Sequence, residues 1–214
     1  MPGDTYEKLK NGLLELDMDA AVAAAKSVVE IGDPQAVKGA VDAVTEALQM
    51  VGKRFQDGEW YLAELVYAGE ISRETMNILS PLMEAGAMEA AGTIVIGTVA
   101  GDLHDLGKNI FINYAKSAGF TMIDLGTDVP TQKFVDAVRE HRPLALGMSC
   151  LLTSTDREIG RVVEELKRQN LRDSVKVVIG GAALTQQFAD KAGVDAFAPD
   201  AVTGTDIVKK WSAP

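Results

Sequence analysis

Cysteine occurs once in the 214 residues, at Cys150. No intrachain disulfide can therefore frame the fold, and a reducing compartment suits the chain. Histidine occurs only twice, which leaves too few imidazoles for an ordinary zinc centre of three or four protein ligands. Basic residues number 21 against 31 acidic ones, a net charge of −10, and this excludes the basic surface that binding to a phosphate backbone needs. There is no run of about 18 apolar residues, so a membrane-spanning helix is not expected. The opening "MPGDTYEKLK" lacks the basic start and apolar stretch of a secretory signal. Internal repeats and low-complexity segments are also missing. Aromatics make up 6% while glycine reaches 20 residues, a balance that favours an α/β pattern with tight turns. The expectation is an acidic cytoplasmic protein.

What is present changes character part-way along. Tyr6, Leu9, Leu13 and Leu16 repeat at helical spacing, as do Val22, Ala25 and Val29. "GDP" at 32–34 ends that second helix and starts a third, because proline is tolerated at the first helical position. Val37, Val41, Val44, Leu48, Val51 and Phe55 then form one long stripe, broken by "DG" at 57–58, and Leu62, Leu65, Met76, Leu79 and Met83 form another. Four helices with short loops predict an antiparallel bundle over residues 1–88. The small-residue stretch 85–92, with Gly86, Ala87, Ala90, Ala91 and Gly92, reads as a hinge.

From residue 89 to 214 the texture is that of a doubly wound parallel sheet. "TIVIGTV" (93–99) is continuously apolar, as a strand covered on both faces should be. "FTMIDLG" (120–126), "LALGMS" (144–149), "VKVVIGG" (175–181) and "DAFAP" (195–199) follow, with helices expected near 107–118, 130–140, 153–169, 184–192 and 200–211. Strand and helix alternate five times, the pattern of an α/β fold with a parallel five-stranded sheet. Ligands of such sheets bind beyond the carboxyl ends of the strands. Three of the loops there carry chemistry: "GDLHDLGKN" with Asp102, His104, Asp105 and Gly107; "SCLLTST" with Ser149, Cys150, Thr153 and Thr155; and Gly180-Gly181.

The first loop fits neither GxGxxG nor GxxxxGK[ST], and its acids would repel a phosphate. A phospho-acceptor domain would need an aspartate where Ser149 ends the third strand. No GxSxG serine elbow exists. Asp102-x-His104 suits a metal-bound imidazole with a carboxylate on its other nitrogen. One protein nitrogen suits a metal that arrives inside a macrocycle. His141 reads as a solvated helix-end residue, and Cys150 as a small buried hydrophobe.

"DLHDLGKN", followed by Ser149-Cys150-Leu151 and by Gly180-Gly181, resembles the DxHxxG, SxL and GG signature of Rossmann-like cobalamin-binding domains. The helical half resembles the cap that precedes such domains in methionine synthase and in corrinoid proteins of methyltransferase systems. The resemblance implies His104 as the lower axial cobalt ligand of a base-off corrinoid, Asp102 as its hydrogen-bond partner, and Thr155 as the hydroxyl that continues a proton relay. It places Gly107, Ser149, Leu151, Thr153, Gly180 and Gly181 around the cofactor and its displaced nucleotide tail. The cap's "VGKRFQDGEWYLAEL" implies Phe55, Leu62 and Leu65 over the methyl-bearing face, although Trp60-Tyr61 and Ala63 depart from the family's usual run.

The implied function is a methyl carrier. Co(I) takes a methyl group from a donor held by a substrate-specific methyltransferase, and an acceptor-side methyltransferase passes it to a pterin or thiol. A reductive activator of oxidised cobalt is the third implied partner; nucleic acid and membrane are not. The chain is not expected to act alone on its methyl donor. A cobalamin-sensing or storage module and a subunit of an adenosylcobalamin mutase are the alternatives.

Overall fold

The computed structural model describes residues 2–85 and 90–213. The chain divides into two compact units, residues 1–89 with 116–118, and the remainder. The expected boundary between residues 88 and 89, and Gly86 and Ala87 of the expected hinge, lie outside the described residues.

The first unit contains α1 (Pro2–Leu14), α2 (Met18–Ile31), α3 (Pro34–Gln56) and α4 (Leu62–Ala85). Their limits follow from local chemistry. Asp17 caps α2 by accepting the Ala20 amide, and Gly32 ends it in the left-handed region at φ 67°. Asp33 accepts the Gln35 amide and Pro34 takes the first helical position of α3. The apolar stripes meet inside: Leu9, Leu13, Val37, Val44, Val51, Leu65 and Leu79 are all buried. Leu16 is the exception to its stripe. It stands beyond α1 at φ 58°, in the turn that leads to Asp17.

The second unit alternates β1 (Gly92–Thr98), α5 (Leu106–Ser117), β2 (Phe120–Asp124), α6 (Thr131–His141), β3 (Ala145–Ser149), α7 (Arg157–Arg168), β4 (Lys176–Gly180), α8 (Gln186–Ala192), β5 (Ala196–Ala198) and α9 (Ala201–Ser212). All pairings are parallel, in the order β2-β1-β3-β4-β5. Val95, Leu146, Met148, Val177 and Ile179 are covered completely or nearly so, which is why these strands read as unbroken apolar runs.

One expected helix begins later than its sequence suggests. Residues 153–156 form turns before α7, because the amides of Thr155, Glu158 and Ile159 each bond a carbonyl three residues back. The loop after β3 is longer as a result.

Strand order reverses between β1 and β3, whose last residues Thr98 and Ser149 are register partners. That is the switch point at which doubly wound sheets open a crevice for ligands. The loops leaving these two strands carry Asp102–Gly107 and Cys150–Thr155.

Candidate functional site

Asp102 is fully buried, and among the described residues its one ion-pair partner is the imidazole of His104. Its carboxylate is satisfied by donors from two loops. Oδ1 accepts the His104 backbone amide at 3.0 Å and faces His104 Nδ1 at 2.7 Å. Oδ2 accepts the Leu151 amide at 2.6 Å, across the switch point. Burial pushes the Asp102 carboxyl upward, but the amides of His104 and Leu151 and the imidazole outweigh burial and hold it below the usual carboxylate range.

An ionised carboxylate can only accept, so Nδ1 of His104 must carry the proton. In the neutral ring the bare lone pair then belongs to Nε2. The backbone is fixed as well, since the buried Thr98 hydroxyl donates to the His104 carbonyl at 3.1 Å. The side chain of His104 nonetheless remains 54% exposed. A partly exposed imidazole is thus held in one tautomer, with the lone pair of Nε2 unspent on Asp102.

Exposed leucines lie on its own segment and on the loop bonded to it. Among the described residues of the second unit, four large hydrophobic side chains are exposed: Leu103, Leu106, Leu151 and Leu152. Leu103 lies on the loop after β1, Leu106 opens the helix that follows it, and Leu151 and Leu152 lie on the loop after β3, which the Asp102–Leu151 bond joins to the first. Exposed leucines scattered singly need no explanation, but a group confined to one ligand-binding edge marks a contact surface. The dipeptides Leu103-His104 and Asp105-Leu106 carried that signal in the sequence, as apolar residues in an otherwise polar turn.

Gly107 adds a third observation. It sits in the first turn of α5, where a β-carbon would meet nothing within 4 Å. Its backbone has no positive φ, so neither packing nor conformation inside the chain calls for glycine there. Gly181 is the opposite case. At φ +129° its missing β-carbon would collide with the Cys150 carbonyl, and the Cys150 amide bonds the Gly180 carbonyl at 3.0 Å. Glycine at 181 is thus called for by the chain's own backbone.

The structure distributes the remaining expected residues as follows. Ser149 is half-buried and Thr153 exposed on the loop after β3. Thr155 is buried, but its hydroxyl donates to the Leu152 carbonyl at 3.0 Å and meets Cys150 Sγ at 3.4 Å. Among the described residues no hydrogen bond links Thr155 to Asp102. The Thr155 hydroxyl is instead spent on its own turn. Cys150 is buried, and burial raises its thiol, partly offset by the Thr155 hydroxyl. His141 ends α6 at the surface. In the helical unit Leu62 is exposed, Phe55 half-buried and Leu65 buried in the apolar interior. Two contributors escaped the sequence reading: the Leu151 amide, a backbone donor, and Asp128, which grips the turn before His104.

Among the described residues no three His, Cys, Asp or Glu side chains gather to hold a metal ion. One exposed imidazole, with exposed leucines on its own segment and on the loop bonded to it, fits instead a metal carried in a large, partly apolar macrocycle. The fold and the residues present define a protein that binds a cofactor of that class.

Comparison with known proteins agrees. Two family models, each described as a B12 binding domain, match residues 92–206 and 5–80. Trimethylamine corrinoid protein 1 of Methanosarcina acetivorans is 36% identical over 209 residues, covering 96% of this chain and 94% of the relative. Dimethylamine corrinoid protein 3 of Methanosarcina mazei is 43% identical over 164 residues, 76% of this chain and 98% of the relative. A solved cobalamin-binding protein from Desulfitobacterium hafniense DCB-2 superposes with a TM-score of 0.81 at 34% identity, covering 96% of this chain and 98% of that one. The chain belongs to the B12-binding family of corrinoid proteins.

Proposed function

We propose that the protein is a corrinoid methyl carrier, with His104 as the lower ligand of the base-off cofactor and Asp102 as the group that aims it. The carrying observation is the exposed imidazole whose Nδ1 is held at 2.7 Å by a fully buried carboxylate, with exposed leucines on the segments that carboxylate joins. When bound, the corrinoid supplies a metal centre that takes up and releases a methyl group. The chain's own residues do the rest. Leu103, Leu106, Leu151 and Leu152 cover apolar parts of the macrocycle and exclude water. Gly107 leaves room beside the start of α5. Asp102 keeps the proton on Nδ1, so Nε2 stays available as a ligand. The same Asp102 contact would hold the ring's orientation with the cofactor bound or absent, and Thr155 is the hydroxyl that would continue a relay from this pair.

A methyltransferase that binds the donor, another that serves a pterin or thiol acceptor, and a reductive activator are the partners this role requires. Relatives named for trimethylamine and dimethylamine make methylated amines the first donor class to assay. In the helical unit, which we propose as the cap, Leu62 is the exposed residue to substitute.

The test is reconstitution of the purified protein with cobalamin. The loaded protein should show the spectrum of a nitrogen-ligated base-off corrinoid, and His104→Ala should lose it. After reduction, the protein with a methylamine methyltransferase should take up one methyl group. A chain that binds cobalamin but accepts no methyl from any donor system is a storage or sensing module, and that result would overturn the proposal.

A further inference from the structure

Asp128, in the connection between β2 and α6, has a backbone φ of 51°. A side-chain-bearing residue adopts this left-handed region at a cost, and aspartate and asparagine tolerate it best. Both of its polar groups reach the turn that carries Asp102. Its amide donates to the Asp102 carbonyl at 3.0 Å. Its Oδ1 accepts the Gly101 amide at 2.6 Å. The dipeptide Gly101-Asp102 is thereby clasped at both ends, from the Gly101 N–H to the Asp102 C=O.

Holding the connection in place does not require this clasp. Thr98 donates to the Gly126 carbonyl at 2.9 Å, Val129 donates to the Thr98 carbonyl at 2.9 Å, and Val99 and Val129 form a parallel bridge. Those bonds already lace the segment along the end of β1. What Asp128 adds is confined to the turn at 99–102, where the Asp102 amide also bonds the Val99 carbonyl at 3.1 Å. The direction of the Asp102 side chain depends on that turn, and the His104 ring depends on Asp102.

We infer that Asp128 is a positioning residue for the axial histidine: by clasping Gly101-Asp102 it fixes the carboxylate that orients His104. The inference rests on His104 being the ligand. Because Asp128 is exposed, its charge is screened. Its working parts are the acceptor oxygen and its tolerance of the left-handed backbone.

The experiment compares Asp128→Asn, Asp128→Ala and Asp128→Gly with His104→Ala. One readout is the absorption spectrum and affinity of the cobalamin-loaded protein, and the other is hydrogen exchange of the Gly101 amide in the cofactor-free protein. Asparagine keeps both working parts and should match the parent within about twofold. Alanine and glycine should each lose Gly101 protection, shift the spectrum toward the form without a nitrogen ligand, and weaken binding about tenfold, the lower end of the range for outer partners of a metal ligand. If glycine matches aspartate while alanine fails, backbone strain alone explains the position and the inference falls. It also falls if all three variants keep the parent spectrum. A His104→Ala protein with an unchanged spectrum would overturn the ligand assignment instead, while Gly101 exchange would still report on the clasp.

Discussion

Oδ2 of Asp102 accepts the Leu151 amide at 2.6 Å, joining the loop after β1 to the loop after β3. This bond spans the point where strand order reverses, so the crevice is braced by the same carboxylate that aims its histidine. Asp102→Asn keeps the shape but exchanges one acceptor oxygen for a donor. Either His104 Nδ1 or the Leu151 amide then faces an N–H. Cobalamin affinity should fall about 10- to 100-fold, measured by equilibrium titration of the cofactor-free protein.

The same carboxylate sets a pH dependence. Its folded-state pKa is depressed by its amide and imidazole donors despite burial. The stability it contributes is therefore fully present above the unfolded value near 3.9 and is lost as pH falls through the lower folded value. Urea unfolding of the parent and of Asp102→Asn should differ most near neutrality, with the gap closing in acid. A gap that widens as pH falls from about 4 would contradict the assignment.

Gly107→Ala separates the needs of the fold from those of the site. A β-carbon there meets nothing within 4 Å, and alanine is the better helix former by up to about 1 kcal/mol. Thermal unfolding of the cofactor-free protein should shift upward or stay unchanged, while cobalamin binding weakens.

Leu103→Ser tests the apolar rim. The side chain is 73% exposed, so stability should change by no more than about 0.5 kcal/mol, the usual range for surface positions. Loss of cofactor affinity without loss of stability is the expected result in calorimetry and titration.

Arg172→Ala is the matching control at the opposite edge of the sheet. Arg172 donates to the carbonyls of Val175 and Gly193 and pairs with Asp195 at 2.6 Å, all in segments that precede β4 and β5. Removing it breaks these bonds, while Asp195 keeps Lys176 and the Val177 amide, and should cost about 0.5–1.5 kcal/mol. The cobalamin spectrum should not change.

The sheet was legible because covered parallel strands write themselves as unbroken apolar runs, as "TIVIGTV" does. The helix ends at Gly32, Pro34 and Gly58 were legible because each is a backbone requirement tied to one residue type. "TSTDRE" misleads because its hydroxyls and acids are the residues that begin helices, while the chain spends them on turns. In the site, Asp102, His104 and Gly107 could be found because the roles proposed for them fall on side chains, or on the lack of one. The Leu151 amide could not, since a main-chain donor has no sequence signature. Thr155 was named for its hydroxyl by resemblance, and the bond of that hydroxyl to the Leu152 carbonyl had no sequence signature either.

The close approach of Gly181 to Cys150 has a consequence for any exhaustive mutational survey of this chain. Every substitution at Gly181 forces a β-carbon into the Cys150 carbonyl, so the position should tolerate as little variety as His104 does. The two intolerances have unlike origins. Replacing His104, an exposed loop residue, spares the empty protein, whereas replacing Gly181 damages it before any cofactor is added. A survey scored twice, once for abundance and once for cobalamin retention, would sort the glycine with the scaffold and the histidine with the cargo.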